Sequence, residues 1–214
     1  MGAPLVVGLF VGGLASRFGG IAKGNLRHPS GVRLIERLVS VCQSALPDAP
    51  VVLVGERAEY DDLGLSSLRD DPSGIGPLGG LRALVSFGKK NAHDAVIALA
   101  CDMPFVTGEL VSRLALENPV AAALAPRADG RWEPLAARYA ASILPVLDAA
   151  IAAGEHSLQR IFARLGDGAC ALSIEEKFTL VDWDCPEDVS PRSPASTTEP
   201  LRAPYSRETL ARPA

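Results

Sequence analysis

Residues 4–20 read PLVVGLFVGGLASRFGG. Pro4 to Phe10 is apolar and partly β-branched, the composition of a buried strand. The turn that follows is rich in glycine and holds one cation, Arg17. In an open α/β sheet, ligands bind beyond the carboxyl ends of the strands, where this turn stands. Consecutive glycines let backbone N–H groups converge on phosphate oxygens with no Cβ in the way. Arg17 adds a planar donor fork suited to phosphate, and Lys23 adds a point charge. The same residues also describe a tight strand-to-helix turn with a surface arginine. The turn is not a Walker A loop, and the dinucleotide fingerprint GxGxxG is missing from it.

Outward from this start, strands and helices alternate. Val32 to Leu46 repeats apolar residues at helical spacing, through Leu34, Ile35, Leu38, Val39 and Cys42. Pro50 to Val54 reads as a second strand. Pro77 suits the first position of another helix. Asp94 to Ala100 is apolar almost throughout, as a central parallel strand should be. Thr107 is placed to cap a helix running to Glu117. Val120 to Ala125 and Glu133 to Tyr139 flank the turn Ala128 to Arg131 and predict an antiparallel piece. Helices over Ser142 to Ala153, stopped by Gly154, and over Ser157 to Leu165 come next. Strands are expected over Ala169 to Ile174 and Phe178 to Asp182.

The fold class that results is α/β, a Rossmann-like three-layer αβα arrangement with a mostly parallel sheet and a small antiparallel insertion. One domain is expected over residues 1–189. Residues 190–214 are rich in Pro, Ser and Thr and read as a disordered tail.

Composition narrows the function. With 48% hydrophobic and 21% charged residues, the 214-residue chain is ordinary globular material. A net charge of −4 argues against general nucleic-acid binding. No apolar run nears the roughly 20 residues of a membrane helix. The start, MGAPLVVGLF, has no basic n-region or cleavage site, so no signal peptide is expected. Four cysteines without a CxxC pair suit a reduced, cytoplasmic protein and disfavour a zinc site.

Three acidic loops carry candidate chemistry. Asp102, in CDMPF, ends an apolar strand, where a carboxylate suits Mg2+ bound to substrate phosphates or caps the next helix. Asp70-Asp71 precede Gly76-Pro77-Leu78-Gly79-Gly80. An Asp there accepts from a nucleobase, or the pair forms a solvated loop. Asp182 and Asp184 fall on one face of the expected last strand. They are metal ligands, or acids that suit a helix N-terminus. Trp132 is read as a packing residue of the hairpin and Cys101 as a small buried one. His156 and Arg160, four apart, face a ligand or solvent.

Taken in order, these stretches resemble the molybdenum cofactor guanylyltransferases (MobA-type) of the nucleotidyltransferase superfamily, from about Pro4 to Val189. The family loop LAGGxSxRMGGxDK matches Phe10-Val11-Gly12-Gly13 through Arg17 to Lys23. GPLAG matches Gly76 to Gly80, DxPF matches Asp102 to Phe105, and GERSLRRLL is similar to Gly154 to Phe162. The resemblance implies transfer of GMP from GTP to the phosphate of molybdopterin, with release of diphosphate. It implies Arg17, Lys23 and Asp102 as catalytic residues. Phe10, Val11, Gly12, Gly13, Lys23, Asp70, Gly76, Pro77, Leu78, Gly79 and Asp102 would bind the nucleotide. Asp102, with Asp184 second, would hold Mg2+. It also implies transient contact with molybdoenzymes or cofactor-insertion proteins. The chain departs from the family at Ala22, where an acid is usual, and at Asp182 and Asp184, where the pattern has asparagines. Those aspartates resemble related nucleotidyltransferases that use CTP or a sugar phosphate. A non-catalytic module would lack Arg17, Lys23 or Asp102, and all three are present.

Overall fold

The computed structural model describes residues 4–12, 22–174 and 180–183. Gly13, Arg17, Asp184 and the 190–214 tail lie outside the described residues. Strand β1 is Leu5–Phe10, β2 Val51–Val54, β3 Ser67–Leu68, β4 Ala95–Ala100, β5 Ala123–Ala128, β6 Arg131–Trp132, β7 Ala136–Ala140 and β8 Ala169–Leu172. The helices are α1 (Leu34–Ala45), α2 (Pro77–Lys90), α3 (Gly108–Leu116), α4 (Leu144–Ala152) and α5 (Leu158–Leu165). The sheet runs β3-β2-β1-β4-β7-β5-β6, with β8 on β5.

β1 sits at the centre because its side chains serve both faces. Val7 and Leu9 join Ile35, Leu38, Val111 and Leu114 in a core under α1 and α3. Val6 and Phe10 join Leu78, Leu81, Leu84 and Phe162 in a second core, under α2, α4 and α5. Two buried faces on one sheet make three layers. β3, β2, β1 and β4 are mutually parallel.

The local signals act where they were expected. Pro77 opens α2. The Thr107 hydroxyl accepts the Leu110 N–H at 3.2 Å, a cap worth about 1 kcal/mol. Gly154 has φ 72°, the left-handed conformation that ends a helix cheaply.

The expected antiparallel piece is present, and β7 carries it into the main sheet between β4 and β5, antiparallel to both. Its buried side chains, Ala136, Ala137 and Tyr139, let both faces be covered. Leu180 to Asp182 form no strand. The Trp183 N–H instead donates to the Asp102 carbonyl at 2.9 Å, tying this segment to a loop. Phe178 lies outside the described residues. Among the described residues, no helix is long and apolar enough to cross a membrane.

Candidate active site

β2, β1 and β4 end side by side, and backbone bonds gather the loops that leave them. The Val11 N–H donates to the Val54 carbonyl at 3.0 Å, and the Cys101 N–H donates to Phe10 at 3.1 Å. β7 runs the other way, so its start lies at the same edge: the Ala100 N–H donates to the Leu135 carbonyl at 2.8 Å. A cavity of about 430 Å³ opens along this edge.

Lys23 and Asp102 meet on its wall. The Lys23 ammonium lies 2.8 Å from Asp102 Oδ2. A 3-10 turn, Lys23–Asn25, carries the lysine. The Gly24 N–H donates to the Tyr60 hydroxyl at 3.0 Å, and Tyr60 is buried. A Cβ on Gly24 would stand 2.7 Å from that oxygen, so the turn can seat this closely only with glycine. Asp102 does not cap α3, since Thr107 does so. Its backbone carbonyl holds Trp183, whose ring meets Phe105 edge-on at 6.3 Å.

Asp70 and Asp71 part company. Asp70 lines the cavity. Burial holds its carboxyl above the usual carboxylate range. Asp71 pairs instead with Arg82, which also holds Asp148 at 2.9 Å. Phe10, Val11 and Gly12 line the cavity, as do Gly76 and Pro77. Leu78 does not: it is fully buried in the core beneath. Gly79 turns its Cα toward the Pro72 carbonyl, away from the cavity lining.

Trp132 and Cys101 serve packing, and His156 and Arg160 are exposed. Trp132 stacks on Phe162 at 4.5 Å, with the Arg127 guanidinium 4.9 Å from its centroid. The Cys101 thiol is pushed up to about 12 by burial, then by Asp102, which leaves it neutral and no nucleophile. Glu155 accepts the N–H groups of His156 and Ser157 at 3.0 and 2.9 Å, which lowers its pKa and fastens the start of α5. Arg160 leans on the same carboxylate at 3.4 Å, and neither His156 nor Arg160 lines the cavity.

Arg57 and Glu133 line it without having been singled out for a role, and Asp182 lines it too. Arg57 follows β2, where the rule of carboxyl ends could have found it. Glu133 precedes β7 and comes to this edge only because that strand is reversed.

The family model of the MobA-like NTP transferase domain matches residues 8–169, which span β1 to the start of β8. The chain belongs to this family. A molybdenum cofactor guanylyltransferase from Cereibacter sphaeroides is 30% identical over 182 residues, covering 85% of this chain and 92% of that relative. One from Pseudomonas putida is 34% identical over 168 residues, covering 75% and 83%. The crystal structure of molybdopterin-guanine dinucleotide biosynthesis protein A from Archaeoglobus fulgidus superposes with a TM-score of 0.67 at 24% identity, covering 86% of this chain and 94% of that one. That likeness speaks for the fold. This member of the MobA-like family is thus a nucleotidyltransferase, and the cavity at the sheet edge is its candidate active site.

Proposed function

We propose that the chain transfers GMP from GTP to the terminal phosphate of molybdopterin, giving the guanine dinucleotide form of the molybdenum cofactor and diphosphate. The observation that carries this reading is the cavity at the ends of β2, β1 and β4, with Lys23 and Asp102 paired within it and Asp70 beside the start of α2. The names of the curated relatives support the choice of substrates.

In the reaction, an oxygen of the acceptor phosphate attacks the α-phosphorus of GTP. The bond from that phosphorus to the bridging oxygen breaks, and diphosphate leaves with the electron pair. Such transfers need positioning and charge stabilisation more than a protein nucleophile. Lys23 would leave Asp102 for the triphosphate and offset the charge gathering on diphosphate. The amides after β1 would hold phosphate oxygens, with Arg17 from the same loop. Asp70 would accept N–H donors of guanine.

Asp102 suits a divalent cation, because its carboxylate already takes a cation at 2.8 Å. Mg2+ is commonly held by one or two carboxylates together with substrate phosphates. Asp102, with Asp184 second, would hold it, and when bound it supplies charge stabilisation at phosphate oxygens. The cytoplasm, where GTP is at hand, is the compartment this reading implies.

The test is titration of the protein with GTP, CTP, ATP and UTP in the presence of Mg2+, then assay of GMP transfer to molybdopterin. Selective GTP binding and transfer support the reading, and loss of transfer in Asp102→Ala supports the metal assignment. Preference for CTP would replace guanylyl with cytidylyl transfer. Binding of none would overturn the reading.

A further inference from the structure

We propose that Glu133 is a specificity-determining residue of the acceptor subsite, its carboxylate receiving two N–H donors from the heterocyclic end of the acceptor substrate. The inference rests on the function proposed above and adds a residue to it.

Strand order divides the cavity. Along the edge stand β2, β1, β4 and β7 in that order. Arg57 and Asp70 therefore belong to one end, Lys23 and Asp102 to the middle, and Glu133 to the other end. The reacting phosphorus belongs at the middle, against the cationic and carboxylate pair. Two substrates joined there must extend in opposite directions. The nucleotide takes the end with Asp70 and the start of α2, which leaves the Glu133 end for the acceptor.

Glu133 is firmly mounted. Its N–H donates to the Pro126 carbonyl at 3.0 Å, and its carbonyl accepts the Ala136 N–H at 3.1 Å. The next carbonyl, Pro134, accepts the hydroxyl of the buried Tyr139 at 2.7 Å. A side chain on so fixed a backbone can serve as a reference point for a ligand.

Its carboxylate is nevertheless open to the cavity. Glu133 is half-buried in the cavity wall and makes no side-chain hydrogen bond or ion pair among the described residues. The charged groups facing it are Asp182, which opposes its ionisation, and Arg131, which favours it. Burial and Asp182 together hold its carboxyl above the ordinary range. Shielding a carboxylate from part of its water is costly, and a ligand bearing donors would offset that cost.

The chemistry of the ligand follows from the acceptor geometry. A carboxylate presents two parallel acceptor oxygens. The 2-amino-4-oxopyrimidine edge of a pterin presents a ring N–H beside an amino group, which is the matching donor pair. Guanine carries the same edge, so Glu133 could in principle read the nucleotide. The strand order argues for the acceptor.

The experiment measures steady-state KM for GTP and for molybdopterin separately, in wild type, Glu133→Gln and Glu133→Ala. GTP affinity is measured alongside by titration, and the fold is checked by thermal melting. A lost hydrogen bond to a charged group predicts a rise in acceptor KM of about tenfold or more. KM and affinity for GTP should change less than about twofold, since the charge removed lies at the other end of the cavity. A matching rise in KM for GTP would assign Glu133 to the nucleotide and overturn the inference, as would an unchanged acceptor KM. Absence of GMP transfer in the wild type would instead overturn the proposed function.

Discussion

Lys23 and Asp102 stand 79 positions apart in the chain, yet their charged groups lie 2.8 Å apart at the cavity wall. The lysine thus occupies a carboxylate oxygen that a metal ion would need. Replacing Lys23 with methionine should have opposite effects on two ligands. Affinity for Mn2+ without nucleotide, followed by electron paramagnetic resonance, should rise about two- to fivefold, the scale of a part-exposed ion pair. Turnover should fall about a hundredfold or more, as when a charge-stabilising donor is removed. Weaker Mn2+ binding would show that Lys23 does not compete at Asp102.

Tyr60 should act through Lys23. Its hydroxyl is the partner of the Gly24 N–H, beside the lysine. Tyr60→Phe removes that bond and keeps the packing, so GTP affinity should fall several-fold. In the Lys23→Met background the same change should cost nothing further. A titration of the double-mutant cycle reads this, and additive losses would count against a positioning role.

Asp70 should trade stability for binding. Its folded pKa is raised by burial, so the unfolded chain ionises it first. Stability is therefore full below the unfolded pKa, near 4, and drops as pH rises through the interval up to the folded pKa. Asp70→Asn removes this penalty. Its melting temperature should exceed that of the wild type at pH 7, and the gap should close at acidic pH. Its GTP affinity should fall. A melting temperature equal at both pH values would refute the linkage.

Gly79→Ala should be disruptive at a distance. The added methyl would run into the Pro72 carbonyl, a backbone atom that cannot swing aside as a side chain can. The 70–76 loop must shift, at a cost of about 1–3 kcal/mol in a denaturant titration. Because that loop carries Asp70 and Gly76 into the cavity, GTP affinity should fall with it.

Much of the architecture was legible in the sequence for local reasons. β1, β4, α2 and α3 declare themselves by apolar runs, by Pro77 and by Thr107, each a signal carried within a few residues. The expected strand near Asp182 failed because an apolar segment becomes a strand only if a neighbour accepts its ladder. Trp183 spends its N–H on Asp102 instead.

At the site the division is the same. Residue types and their spacing determined the α/β class, and the resemblance of the loop motifs to the MobA-like family marked Lys23, Asp70 and Asp102 as residues to watch. Only the tertiary structure separated Asp70 in the cavity from Asp71 on Arg82, because the two adjacent carboxylates differ in surroundings and not in sequence. Only the tertiary structure brought Glu133 to the active edge. Which end of a strand meets the ligand depends on its direction in the sheet, and β7 takes its direction from pairing with β4 and β5, partners distant in the chain.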